Sequence, residues 1–169
     1  AIAANASGTF ALNLYGTPTG FNSAAGYSWK IMGGASVSSF SAGRFSINTN
    51  NFLAGTDGGS FSVSQSGNDI YLNFAPRAVS VPAAFSAAAT GPDAIQLTFT
   101  PNGNSDPVVI VYDQDGTFST PTGTVPAVGS DFAGGKVVYA GSVSPQNHAG
   151  LTACTEYDYS AWSYNGTNY

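Results

Sequence analysis

Apolar residues recur at every second position in short segments of this chain, and nowhere do they keep the 3.6-residue period of a helix for ten residues. Such alternation places one side of a segment in a core and the other side in solvent, as in a β-strand. Each segment is bounded by residues that favour turns. The sequence therefore predicts an all-β fold with essentially no helix. The predicted strands span residues 9–15, 27–32, 45–49, 60–65, 70–74, 85–88, 94–100, 108–112, 136–139 and 151–164.

Some of these segments carry more specific predictions. In the second segment, Tyr27, Trp29 and Ile31 share one side, which we expect to face the core. Residues 66–69, Ser-Gly-Asn-Asp, favour a hairpin between the fourth and fifth strands. The run VVIVY at 108–112 is apolar throughout, as expected of a central strand that is wholly or partly covered on both faces.

A short connector near the middle of the chain interrupts the alternation. It carries Pro76 and Pro82, and strands tend to end at proline because its nitrogen cannot donate to a ladder. We place a domain boundary between residues 76 and 80. The predicted modules are 1–78 and 79–169.

The charge balance argues against two classes of partner. The 169-residue chain has a formal net charge of −5 and only four Lys and Arg residues, so it lacks the basic surface that binds phosphate backbones. No run approaches the roughly 20 apolar residues of a membrane-spanning helix. We expect no nucleic-acid partner and no membrane insertion. The single cysteine, Cys154, excludes an internal disulfide and is predicted to be a small residue in a turn.

The composition is typical of a secreted or cell-surface β protein. Charged residues make up 8% of the chain, against roughly one quarter in an average protein, while aromatic residues reach 13%. Many aromatics and a low net charge favour an ordered chain that is solubilised by hydroxyl and amide groups. The first residues show no signal peptide, and the last residues have a strand-like pattern. The composition favours an extracellular or cell-surface location. Either a signal peptide was removed or the chain is a piece of a longer protein, and the strand-like pattern at the end favours the longer parent.

The last predicted strand carries Tyr157, Tyr159, Ala161 and Ser163 on one side at a strict period of two. Leu151 precedes them, in the arrangement by which a leucine plug and a tyrosine corner close the end of an immunoglobulin-like sandwich. The second half of the chain is accordingly predicted to be such a sandwich.

Residues 81–169 resemble a fibronectin type III domain, in the form found in large secreted bacterial proteins. The resemblance lies in AIQLTFTPNGN, in VVIVYD, in the G-T-F…P-T-G…V-G segment and in L-x-x-x-T-x-Y-x-Y-x-A-x-S-Y-N. Phe99 stands where many members carry a core tryptophan, and Ala153-Cys154 replaces the usual Pro-Gly turn. The resemblance implies a sandwich that serves as a spacer or an interaction module.

Residues 8–76 resemble the last segment of repetitive bacterial surface and autotransporter-like proteins, in G-T-F-x-L-N-L…Y-S-W-K-I…F-S-I-N-T and in the run that ends D-I-Y-L-N-F. The resemblance implies a module that caps a β-solenoid and exposes an unpaired strand edge near its N-terminus. A small sandwich is the alternative.

The residues that could carry chemistry do not form a catalytic pattern. His148 is the only histidine, falls in a predicted surface loop and has no nucleophile motif to serve. Glu156 and Asp158 are predicted to lie side by side on the outer face of a strand, in water. The segments Asn102-x-Asn104-x-Asp106 and Asp113-x-Asp115 offer oxygen atoms either for turn hydrogen bonds or for calcium. We expect turns and no cofactor, with calcium as the alternative.

Trp162 and Tyr164 are the candidate ligand-binding residues. They point to the side of their strand opposite Tyr157 and Tyr159, and two residues apart they span about 7 Å, which suits stacking on sugar rings. The other interpretation is that Trp162 packs under the long 117–135 segment or against the N-terminal module.

Together these observations predict a non-catalytic extracellular structural or interaction module of a larger bacterial secreted or cell-surface protein. Its expected partners are neighbouring domains of the parent or copies of itself. The alternative is a carbohydrate-binding accessory module that binds a polysaccharide through an exposed aromatic face.

Overall fold

The computed structural model describes residues 8–166 and 168–169, and over these residues the fold is all-β. The chain divides into two compact units, Ala1–Arg77 and Ala78–Tyr169, a division that falls inside the interval 76–80 named above. Residues 1–7 of the first predicted module lie outside the described part. Within the described part, the helical structure is one 3-10 turn, Ala42–Arg44, and no helix is long and apolar enough to cross a membrane.

The first unit is a small sandwich of two sheets. A parallel pair, β1–β3, faces an antiparallel sheet of order β2-β5-β4. Val63, Ile70 and Leu72 form the buried core between the sheets, and Leu12 and Ile47 pack on it from the parallel pair. The strands are β1 (Phe10–Gly16), β2 (Tyr27–Gly33), β3 (Phe45–Phe52), β4 (Ser60–Ser66) and β5 (Asp69–Ala75).

The predicted hairpin between β4 and β5 is confirmed. Ser66 and Asp69 are register partners, so Gly67 and Asn68 form a two-residue loop. Gly67 has a φ of +57°, in the left-handed region that glycine adopts without steric cost.

The predicted inward side of β2 is wrong for Ile31, and Trp29 on that side is not buried in the core. The register of β2 against β5 shifts between Lys30 and Met32, so that Met32 packs on the core and Ile31 is 37% exposed. An irregularity of this kind changes which side chain faces inward. Trp29 is not a core residue either, because it is also 37% exposed.

The second unit is a larger sandwich. Its sheets have the orders β12-β8-β10-β9 and β11-β7-β6. Leu97, Phe99, Val108 and Ile110 form the core between them, so Phe99 has the structural role that the sequence predicts. The strands are β6 (Ala84–Gly91), β7 (Ala94–Thr100), β8 (Val108–Asp113), β9 (Asp131–Phe132), β10 (Gly135–Gly141), β11 (Gln146–Ala149) and β12 (Asp158–Ser163).

Strand β8 is covered on both faces, as predicted. Val108, Val109, Ile110 and Val111 are each 0% exposed. Val108 and Ile110 belong to the core between the sheets, whereas Val109 and Val111 belong to a second cluster on the other face. Side chains from segment 117–135 pack on this second cluster and close it from solvent.

The last strand is shorter than the predicted 151–164, because residues 151–157 do not belong to it. Tyr157 lies just before β12, and its hydroxyl oxygen accepts a hydrogen bond from the backbone N–H of Thr152 at 3.0 Å. This bond to the backbone a few residues upstream is the contact expected of a tyrosine corner. The backbone N–H of Leu151 donates to the carbonyl oxygen of Asp93, and the Leu151 side chain is partly buried.

Candidate functional sites

An aromatic groove lies in the first unit, at the side of the sandwich where Trp29 is exposed. The cavity has a volume of about 250 Å³, and its lining carries no charged side chain. Leu14, Trp29, Phe52, Phe61 and Leu72 are among the residues that line it. Trp29 lies on β2, which is an edge strand of the three-stranded sheet, and is 37% exposed.

Ring contacts hold Trp29 in place at this groove. Its ring stacks on Tyr27 with centroids 5.0 Å apart and an interplanar angle of 7°, and it lies 6.4 Å from Phe61. Phe61 in turn contacts Phe52 at 5.2 Å and Phe74 at 4.9 Å. Trp29 is therefore presented to solvent by a packed cluster of rings, which the alternation in sequence does not reveal.

Trp162 and Tyr164 do not form an exposed platform in the structure. Both pack on the cluster of Val109 and Val111, and both are partly buried. The Trp162 ring lies edge-on to Phe118 with centroids 6.3 Å apart. Burial also raises the pKa of Tyr164. This arrangement is the packing alternative, in which segment 117–135 covers the two side chains.

His148 lies on strand β11 and is partly buried, so its placement in a surface loop is wrong. It is the register partner of Ile95 on β7, and its ring lies 4.4 Å from that of Tyr112. The His148 Nδ1 atom is 2.9 Å from the hydroxyl oxygen of Tyr159. The Tyr157 ring is 6.4 Å away. Three tyrosines thus surround the only histidine of the chain.

Burial acts on both members of the His148–Tyr159 contact. It lowers the pKa of His148 and, with smaller effects from Tyr157 and Tyr112, raises the pKa of Tyr159 to about 12. Near pH 7 both groups are therefore neutral. Two neutral groups suit one hydrogen bond between the sheets. The sequence pattern does not predict this contact, because β11 is four residues long and its sequence, QNHA, has no alternation of apolar residues.

The two acidic segments form turns, as predicted. The Asn102 Oδ1 atom accepts hydrogen bonds from the backbone N–H groups of Asn104 and Asp106, each at 3.1 Å. The Asn102 Nδ2 atom donates to the Asp106 carboxylate at 2.8 Å. Asn102 and Asp106 are each 5% exposed. Their oxygens complete a buried turn in which the side chains replace backbone partners.

The second turn follows the same principle. Asp113 Oδ1 accepts hydrogen bonds from the backbone N–H groups of Asp115 and Gln114, and these bonds lower the Asp113 pKa. Asp115 Oδ1 accepts from the Thr117 backbone at 2.8 Å. Among residues 8–166 and 168–169, no three His, Cys, Asp or Glu side chains come together in a way that could hold a metal ion.

Glu156 and Asp158 do not share a strand face, contrary to the prediction. Strand β12 begins at Asp158, so Glu156 lies in the segment before the strand, where it is exposed.

The parallel β1–β3 pair carries matched side chains in register. Phe10 pairs with Phe45, and their rings stack with centroids 5.4 Å apart. Asn13 pairs with Asn48, whose Nδ2 atom donates to the Asn13 Oδ1 atom at 3.1 Å. The two strands and the residues just before them share the pattern G-x-F-x-(L/I)-N, at residues 8–13 and 43–48. This is a short internal repeat, which the alternation of apolar residues alone does not reveal.

Comparison with known proteins adds no assignment, since no protein-family model matches the chain and no curated protein matches it significantly. The resemblances to fibronectin type III domains and to autotransporter-like repeats therefore stay predictions.

Proposed function

We propose that this protein is a non-catalytic extracellular structural or interaction module of a larger bacterial secreted or cell-surface protein or assembly. Its partners are neighbouring domains of the parent or copies of the chain itself. The resemblances at 8–76 and 81–169 and the low charge content support this proposal.

The observation that carries the proposal is that His148 and the oxygen atoms of the two candidate calcium segments are engaged in internal hydrogen bonds. The oxygens of Asn102, Asp113 and Asp115 accept backbone N–H groups of their own turns. His148 bonds Tyr159 across the sandwich. Side chains used in this way stabilise turns and sheets, which is the chemistry of a scaffold.

The native form of the protein tests this proposal. An antibody raised against the purified chain would be used to detect the protein in secreted and surface fractions of its source. We expect a band much larger than a 169-residue chain, in the surface or secreted fraction. A freely diffusing protein of the size of this chain, or one found only inside cells, would contradict the proposal.

Carbohydrate binding is a second candidate function, favoured by the groove at Trp29 rather than by Trp162 and Tyr164. A half-exposed tryptophan beside an uncharged, ring-lined cavity of about 250 Å³ suits the apolar face of a neutral sugar. Ligand sites usually range from about 300 to 1,000 Å³, so this smaller groove suits contact with a short part of a polysaccharide rather than enclosure of a large ligand.

Tryptophan fluorescence separates the two locations, because the chain has only two tryptophans. In Trp162→Phe, Trp29 is the sole indole; in Trp29→Phe, Trp162 is. Titration with a panel of neutral polysaccharides should change the emission of Trp162→Phe and leave that of Trp29→Phe unchanged. No change in either variant with any glycan would exclude this candidate.

A further inference from the structure

We propose that the outer edges of the β1–β3 pair bind a second copy of this chain, with β1 of one copy lying parallel to β3 of the next and in register with it. This inference rests on the proposed function, since it names which of the proposed partners uses a particular surface.

The free edges are the first observation. β1 and β3 form a two-stranded sheet, so each strand has one neighbour and one edge that no strand of the described ranges, 8–166 and 168–169, occupies. Such an edge presents a row of backbone N–H and C=O groups and is a template for another strand.

The second observation is that the chain already contains the contact that two copies would make. Inside one copy, Phe10 stacks on Phe45 and Asn48 donates to Asn13, all in parallel register. Parallel, in-register strands with matched aromatic and Asn residues can extend these ladders from strand to strand. The β1 strand of a second copy brings the same side chains to β3 that the internal β1 strand does.

The third observation is the lack of residues that protect an edge. Proteins commonly guard edge strands with charged side chains or proline. The strands FALNLYG and FSINTNNF contain neither. Ala11 and Ser46, which are register partners with exposed side chains, leave room for an approaching strand.

Contact of β1 with β3 uses two different surfaces, so the association is head-to-tail. Such contacts produce an open series of oligomers instead of a closed dimer, unless the rotation between copies closes a ring. Each copy carries a net charge of −5, and copies therefore repel one another at low ionic strength. Added salt should strengthen the association.

Site-specific cross-linking tests the register directly. Two variants are made in a Cys154→Ser background, one with Ala11→Cys and the other with Ser46→Cys, so that each chain has one thiol. The two variants are mixed and oxidised mildly. Adjacent strands place paired Cα atoms within the range that a disulfide spans, so we expect the mixed dimer to form at least several-fold faster than either homodimer. The control is Ala11→Cys mixed with Ser62→Cys, an exposed position on β4.

Equal rates for the Ser46→Cys and Ser62→Cys mixtures would overturn the proposal, because they would indicate random collision. Sedimentation velocity of the unmodified chain gives an independent result. We expect a series of species that grows with protein and salt concentration, and a single monomer under all conditions would also overturn the proposal. A monomer together with a large native parent would reject only the stacking and leave the proposed function standing.

Discussion

The His148 Nδ1 atom lies 2.9 Å from the hydroxyl oxygen of Tyr159, and this contact joins side chains from the two sheets of the second sandwich. The pair joins β11 to β12, two strands that are not hydrogen-bonded neighbours. Because this contact includes the only histidine, it makes the sandwich sensitive to pH in the range where histidine titrates.

Stability should fall as the solution is acidified below neutral pH. Burial lowers the pKa of His148 in the folded state, so the unfolded chain takes up a proton first, near pH 6.5. Between the unfolded and folded pKa values the unfolded state binds more protons, and stability decreases with decreasing pH. Urea unfolding midpoints from about pH 8 to about pH 5.5, above the range of ordinary carboxylates, measure this loss.

His148→Phe is the matched control for that experiment, since it keeps a ring at the site and removes the titration. Its midpoint should change much less over the same interval. Parallel curves for the two proteins would show that His148 does not cause the pH dependence.

The register shift in β2 predicts unequal costs for two neighbouring residues. Met32→Ala should lower the free energy of unfolding by about 2 kcal/mol, the low end of the range for a core methionine, because Met32 packs on the core of the first unit but is only partly buried. Ile31→Ala should cost less than about 1 kcal/mol, because Ile31 is 37% exposed. Chemical denaturation of both variants measures the difference. A larger loss for Ile31→Ala than for Met32→Ala would contradict the register shift, because it would mean that Ile31 faces the core together with Tyr27 and Trp29.

Replacing Cys154 by glycine should stabilise the protein slightly. Cys154 is exposed and has a φ of +58°, in the left-handed region that costs a residue with a Cβ roughly 1–2 kcal/mol. Glycine avoids this cost but loses about 0.5–1 kcal/mol through the entropy of the unfolded chain, so the expected net gain is about 0.5 kcal/mol. Cys154→Ala keeps the Cβ and should show no such gain in the same urea titration.

The cover over the outer face of β8 should loosen when Trp162 is removed. Trp162 packs with Phe118 on the cluster of Val109 and Val111, so Trp162→Ala takes away part of the surface on which segment 117–135 rests. We expect faster proteolysis within 117–135, measured by mass spectrometry of timed digests. Trp29→Ala is the control, because Trp29 belongs to the other unit. Equal cleavage of both variants within this segment would contradict the packing role.

Sequence reasoning succeeded where one local pattern decides the structure. The loop at Gly67 and Asn68 needs a residue that accepts a positive φ, and the sequence supplies it between two alternating segments. The apolar run of β8 indicates a central strand covered wholly or partly on both faces, and Val108 to Val111 are each 0% exposed. The acidic turns followed from the tendency of Asn and Asp to bond nearby backbone groups.

It failed where a contact between distant residues decides. The shift before Met32 depends on pairing with β5, and nothing within β2 marks it. Trp29 is exposed on β2, whose place at the edge of its sheet is set by pairing with β5, and the burial of Trp162 follows from the path of segment 117–135. The strand that holds His148 is four residues long and forms through its pairing with β7. Such pairings are set by tertiary packing rather than by local propensity.

The double covering of β8 has a consequence for how the second unit opens. Its amides lie between β10 and β12, and its side chains touch one core on each face. Lifting segment 117–135 would not break the β8 hydrogen bonds to β10 and β12, so we expect deuterium to enter these amides only when the whole sandwich unfolds. Segment 117–135 therefore covers a second core, and we expect the slowest-exchanging amides of the unit to lie in the strand beneath it.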